Sequence, residues 1–179
     1  MSLLLATLLP GLLLIALGGP LLLNHAGIVA ALKGLPRSVN AAYLFFGAGA
    51  AWFVWNVMHL SPADFGDFKL PLTIGFAILA VLSFRCVPDF LAVRGLCALA
   101  LLAASPLLGA AYGEYQYPQR LFMVTLVYVA IGLALWLSVS PFRLRDFFEW
   151  LFARPARTRA AGAALLGYGA LLAAVAFTY

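Results

Sequence analysis

Residues 43–67 read YLFFGAGAAWFVWNVMHLSPADFGD, and this stretch has the most clearly patterned surface of the apolar segments. At about 100° per residue, a helix places small side chains on one side, namely Gly47, Ala50, Ala51, Val54 and Met58. Its other side is aromatic and polar, with Phe45, Ala48, Gly49, Trp52, Trp55, Asn56 and His59. No charged residue interrupts residues 41–60, and roughly 20 apolar residues cross a bilayer. We therefore predict a membrane span with two different neighbours.

The composition extends this prediction to the whole chain. Of the 179 residues, 65% are hydrophobic and 9% are charged, whereas soluble domains are about 25% charged. We predict an all-α, polytopic transmembrane helical bundle that forms a single integral membrane domain over residues 1–179. In such a protein the net charge of +5 reports orientation in the membrane, and we expect no nucleic-acid partner.

Six spans fit the apolar segments, and the sequence predicts them at residues 3–23, 41–60, 70–84, 90–111, 121–140 and 160–178. The third is short and should be nearly upright. In the first, Pro10 and the Gly18–Pro20 group favour a kink and an early break. A bundle of five spans with a re-entrant or peripheral first segment is therefore the alternative fold.

Residues 142–154 have the pattern of an amphipathic helix that lies in the membrane plane. Its apolar stripe consists of Leu144, Phe147, Phe148 and Leu151. Basic residues lie beside this stripe and continue up to the sixth span. The resulting lipid-facing basic strip comprises Arg143, Arg145, Arg154, Arg157 and Arg159, and we expect it to attract anionic lipids at the cytoplasmic face.

The basic residues also predict the orientation. With the N-terminus outside, the two outward basic residues are Lys69 and Arg120, and the nine inward ones are Lys33, Arg37, Arg85, Arg94, Arg143, Arg145, Arg154, Arg157 and Arg159. This bias follows the positive-inside rule, so both termini should be outside. The preference for arginine over lysine, with abundant Ala, Leu and Gly, suggests a bacterial protein of the cytoplasmic (inner) membrane.

The candidate ligand site is the strip formed by Trp52, Trp55, Asn56 and His59, which runs toward the outer surface. Asp64 and Asp67 continue it in sequence, and Glu114 belongs to the same outer side. An outward-opening pocket could hold a flat or cationic ligand between the rings. Alternatively, the tryptophans form an interfacial belt, Asn56 bonds a neighbouring helix, and the carboxylates form a solvated rim with Lys69 and Arg120.

The sequence contains no recognisable motif for binding a cofactor or for catalysis. His59, Asp64 and Asp67 match no strong metal-ligand spacing, so no metal site is predicted. The two histidines, His25 and His59, are expected at opposite membrane faces, which argues against a haem held by both. Enzyme motifs such as H-E-x-x-H, a usable G-x-S-x-G and a P-loop are missing, so we predict no cofactor and no catalytic residue.

Function is predicted less sharply than topology. We expect a non-enzymatic multi-pass membrane protein, a structural or accessory subunit that packs against itself or other membrane proteins through the patterned face of residues 43–67. One alternative is a small oligomeric transporter or channel that uses this outward-facing aromatic and polar site. Another is an intramembrane or lipid-modifying enzyme with His59, Asp64 or Glu114 converging on a cavity.

Overall fold

The computed structural model describes residues 1–61, 65 and 68–179, and in these residues the regular secondary structure is helical throughout. A 3₁₀ turn at Leu35–Arg37 separates two of the helices. The α-helices are α1 (Leu3–Leu22), α2 (Ala26–Gly34), α3 (Val39–Met58), α4 (Lys69–Cys86), α5 (Leu91–Ala111), α6 (Arg120–Val139), α7 (Phe142–Phe152) and α8 (Pro155–Ala176).

Six of these helices, α1, α3, α4, α5, α6 and α8, are apolar and long enough to cross a membrane, with 18 to 22 residues each. The prediction of an all-α bundle with six apolar helices is therefore confirmed. The boundaries differ most in α8, which begins at Pro155 rather than at residue 160. Arg154 is extended and Pro155 occupies the first turn, where its fixed φ suits a helix. Arg157 and Arg159 consequently belong to α8 and do not precede it.

The first helix does not break early, so that prediction is wrong. α1 continues through Pro10 and Pro20 to Leu22, and the backbone N–H of Leu23 donates to the carbonyl of Gly19 at 3.1 Å. The physical reason is tertiary. Gly18, where the sequence suggests weakness, is buried against the backbone of α8, so packing supports the helix at the position where its propensity is low.

The most extensive helix contact joins the first and last long helices, α1 and α8. They run antiparallel, with Gly11 opposite Gly169 and Gly18 opposite Gly162. A Cβ at Gly169 would lie 2.7 Å from the carbonyl oxygen of Gly11, and one at Gly18 would lie 2.8 Å from that of Gly162. Glycine at these four positions lets the two backbones approach closely.

α5 is the central helix, since it contacts α1, α3 and α6. Gly95 of α5 lies against the backbone of Phe46, so α3 and α5 also meet through a glycine. A buried core that includes Ala6, Met123 and Leu172 connects α1, α6 and α8 with α5. The bundle is thus organised around the α1–α8 and α3–α5 pairs.

α4 is the peripheral helix. It packs mainly against α3 and has no buried residue, whereas the other five long helices each bury several. Three aromatic contacts hold it: a stacked Tyr43–Phe84 pair with centroids 4.9 Å apart, an edge-on Phe46–Phe84 pair at 5.3 Å and an edge-on Phe53–Phe76 pair at 5.0 Å. Space is left between these contacts, on the side toward α5.

The α1–α8 contact yields a stability prediction. Replacing Gly169 by Ala should lower the free energy of unfolding by about 1–3 kcal/mol, because the new methyl group forces the two helices apart. Thermal unfolding of the purified protein in one detergent, followed by circular dichroism, measures this loss.

Gly167→Ala is the matched control, since a Cβ at Gly167 meets no atom within 4 Å. This variant, two residues away on the same helix, should be at least as stable as the wild type because alanine favours the helix. Equal melting temperatures for the two variants would contradict the close contact between α1 and α8.

Candidate functional site

The polar strip predicted on the second span, residues 41–60, lies on one face of α3. Trp55, Asn56 and His59 are exposed, and Trp52 is half-buried. The Trp55 and His59 rings are tilted against each other with centroids 4.3 Å apart. His59 Nδ1 donates to the carbonyl oxygen of Trp55 at 2.8 Å, which fixes the imidazole against the helix.

The two sides of α3 have different surroundings, in agreement with their different chemistry. Ala50 and Val54, on the small side, lie near α4. The strip faces outward from the bundle, with 60% of Trp55 exposed. Among the hydrogen bonds of the described residues, none involves the Asn56 side-chain amide. Within the described residues, the strip is therefore an exposed surface.

Of the three predicted acidic residues, the structure describes Glu114. Asp64 and Asp67 lie outside the described residues. Glu114, between α5 and α6, accepts a hydrogen bond from Gln116 Nε2 at 2.6 Å. Arg120, expected to neutralise an acidic rim, instead lies 4.6 Å from the Tyr115 ring centroid and donates to the carbonyl of Ala111. Within residues 1–61, 65 and 68–179, no three His, Cys, Asp or Glu side chains could hold a metal ion.

At the opposite end of the bundle, three members of the predicted basic strip have partners within the protein. The guanidinium carbons of Arg143 and Arg157 lie 5.0 and 4.5 Å from the ring centroids of Trp136 and Trp150. Arg157 also donates to the carbonyl oxygen of Trp150 at 3.0 Å. Arg145 pairs with Asp146 at 2.7 Å. The two remaining members, Arg154 and Arg159, are exposed.

The Arg145–Asp146 pair affects titration only at extreme pH. The hydrogen bond that Arg145 donates to the Asp146 carboxylate, followed by the charge of that carboxylate, raises the pKa of Arg145 above its ordinary value. A raised pKa for a cation stabilises the folded state below the unfolded pKa and loses that contribution above the folded one. Arginine remains protonated well above neutral pH, so this raised pKa contributes no pH dependence to stability near neutral pH.

The apolar stripe of α7 is divided between two environments. Leu151 is buried, and its carbonyl accepts a hydrogen bond from Thr158 Oγ1 of α8 at 3.3 Å. Phe147 and Trp150 are about half exposed and lie against each other with centroids 6.1 Å apart. α7 is thus held against α8 at Leu151 and, through Arg157, at Trp150, while the Phe147 and Trp150 rings remain about half exposed.

A groove that sequence reasoning missed lies between α3, α4 and α5. Its volume is about 470 Å³, and its floor contains Gly49, Ala50, Ala80 and Ala98. Small residues on each of the three segments are the signal in the sequence. These small residues did not predict a groove, because the sequence does not show which helices pack against each other.

Comparison with protein-family models, with curated proteins and with solved structures gives no match.

The contact between α7 and α8 can be tested at Arg157. Arg157→Gln should lower the free energy of unfolding by about 1 kcal/mol, because it removes the guanidinium from the Trp150 ring. Thermal unfolding in detergent measures the change. Arg159→Gln makes the same substitution one half-turn later at an exposed position and should leave the melting temperature unchanged; equal losses in both variants would refute a specific role for Arg157.

Proposed function

We propose that this chain is a non-enzymatic multi-pass integral membrane protein that acts as a structural or accessory subunit of a membrane assembly. The observation that carries the proposal is the outward-facing strip of Trp52, Trp55, Asn56 and His59 on α3. Its polar and aromatic groups belong to an otherwise apolar helix, and they face away from the rest of the bundle.

The chemistry of the strip favours a protein partner. An amide in a membrane helix gains on average about 0.6 kcal/mol from a hydrogen bond across helices, and the Asn56 side chain is exposed for such a bond. Trp55 and His59 are held against each other, so they lose little conformational freedom on binding. Preorganised aromatic groups of this kind are common anchors of protein interfaces.

Localisation in the cytoplasmic membrane of a bacterium, with both termini outside, is part of the proposal. Supporting it, the basic residues gather at the end of the bundle where α2 and α7 meet. There Lys33 of α2 lies 5.9 Å from the Phe152 ring centroid of α7. A cytoplasmic leaflet rich in anionic lipids would attract this end, with Arg154 and Arg159 exposed to it.

The orientation can be tested without introducing a label site. Cys86, at the basic end of α4, is exposed, whereas Cys97 of α5 is buried. A membrane-impermeant maleimide should label Cys86 in inverted membrane vesicles and not in right-side-out vesicles. Cys86→Ser should abolish the signal, and labelling from the outside would reverse the proposed topology.

Purification in mild detergent, followed by native mass spectrometry, tests the subunit role. We expect a protein partner, either another membrane protein or a second copy of this chain, in a fixed ratio. Asn56→Leu should reduce its retention by roughly threefold, the equivalent of the average interhelical hydrogen bond. Quantitative mass spectrometry of the retained proteins gives the ratio.

Met58→Leu is the control, since Met58 is exposed on the other side of the same helical turn and its replacement preserves apolar volume. It should retain the partner at the wild-type ratio. Recovery of a monomer carrying a defined small molecule would refute the subunit role and would favour a transporter.

A further inference from the structure

The groove between α3, α4 and α5 has a bounded shape. Along α3 it extends from Phe46 to Val54, which is about 12 Å at 1.5 Å per residue. The Phe46–Phe84 pair, with centroids 5.3 Å apart, closes the end nearer the basic residues. The Phe53–Phe76 pair lies near the other end. Between the two pairs, small residues on the three helices leave room for an occupant.

The lining of the groove requires an apolar occupant. Ser83 is its one hydroxyl-bearing residue, and Ser83 Oγ already donates to the carbonyl oxygen of Leu79 at 2.7 Å. The remaining lining residues are Gly49, two further alanines beside Ala50, and larger aliphatic and aromatic side chains. A site without free polar groups gives water nothing to bond, whereas hydrocarbon gains dispersion contacts on all sides.

The shape of the groove favours a single hydrocarbon chain as its occupant and not a helix. A helix about 10 Å wide needs an open trough along its length, but aromatic pairs connect α3 and α4 at both ends of this groove. A helix could therefore lie across the opening but could not fill the groove. One hydrocarbon chain is narrow enough to enter between α4 and α5.

The positive charge of Arg37 at one end of the groove favours a lipid with an anionic headgroup. Arg37, Ser38 and Tyr43 line a small cavity of about 60 Å³ that lies beside Phe84, at the closed end. The Arg37 guanidinium is exposed and lies 5.7 Å from the Phe90 ring centroid. In the described part of the chain, the ion pairs involve Arg145 alone, so Arg37 is available to an anion.

The spacing between the cation and the groove matches a phospholipid. Phe46 lies seven residues beyond Val39, the first residue of α3, which is about 10 Å along the helix. Arg37 lies two residues before Val39. Glycerol and the first methylenes of a lipid span such a distance below the phosphate. The rest of the chain then reaches the groove. The basic end, where the headgroup lies, is the proposed cytoplasmic side.

We propose that the groove between α3, α4 and α5 binds one acyl chain of an anionic phospholipid of the cytoplasmic leaflet, whose phosphate contacts Arg37. The proposal rests on the membrane insertion and orientation in the proposed function. It is independent of the protein partner, because the groove and the strip occupy different sides of α3. The bound lipid fills the space that the peripheral position of α4 leaves open.

The experiment is quantification of lipid retained by the full-length protein. The protein is reconstituted in vesicles of equal phosphatidylglycerol and phosphatidylcholine, extracted in mild detergent and analysed by native mass spectrometry. The wild type should carry one phosphatidylglycerol. Ala80→Phe fills the groove from α4 and should reduce the retained lipid by at least roughly tenfold, because a few buried methylenes are displaced.

Ala77→Phe provides the matched control. Ala77 is one turn away on α4 and lines a neighbouring shallow surface that Ala80 also borders, but Ala77 does not line the groove. This variant should retain lipid as the wild type does. Equal retention of lipid in both phenylalanine variants, or its loss in both, would overturn the proposal. The proposal would also fail if Ala80→Phe released a bound protein and no lipid.

The headgroup contact is tested separately at Arg37. Arg37→Gln should reduce the preference for phosphatidylglycerol over phosphatidylcholine by roughly fivefold, which corresponds to about 1 kcal/mol for one arginine at an anionic surface. Arg159→Gln, at an exposed residue of α8, should preserve the preference. An unchanged preference in Arg37→Gln would overturn the assignment of the phosphate contact.

The outcomes for the two proposals are distinguishable. A protein absent from the membrane fraction would refute the proposed function and the lipid site together. A membrane-inserted protein that retains its partner but no lipid would refute only the lipid site. Retention of lipid without a protein partner would refute only the subunit role.

Discussion

Close backbone contact through glycine is the constraint on which the rest of the bundle depends. Between apolar helices in lipid there is no hydrophobic driving force for association, so van der Waals packing and interhelical hydrogen bonds must supply it. Here Gly11, Gly18, Gly162 and Gly169 pair α1 with α8, and Gly95 lets α5 reach the backbone of α3. The first and last long helices thereby pack together, and α5 connects the α1–α8 pair with α3.

The same constraint explains the peripheral position of α4. Its one glycine, Gly75, has no neighbouring atom within 4 Å of an added Cβ, so α4 makes no close backbone contact there. Phe76, in the middle of α4, and Phe84, near its C-terminal end, attach it to α3 instead. Rings hold helices further apart than glycines do, and the groove between α3, α4 and α5 is the result.

The polar features then divide between the two ends of the bundle. Near the C-terminal end of α3, Trp55 and His59 form a rigid pair that faces outward. At the other end, arginines lie over aromatic rings of α5, α6 and α7 or their flanking residues. The proposed assembly surface and the proposed lipid-facing surface therefore lie at different ends of the bundle.

The sequence by itself determined the six apolar helices, the amphipathic character of α7 and the common face of Trp52, Trp55, Asn56 and His59, because these depend on local hydrophobicity and helical periodicity. Only the tertiary structure decided that α1 continues past Gly18, that Arg157 contacts Trp150, and that a groove opens beside α4. Each of these follows from contacts between segments distant in the chain or between neighbouring helices at a particular angle. Periodicity shows which residues share a face, but it does not show what that face meets.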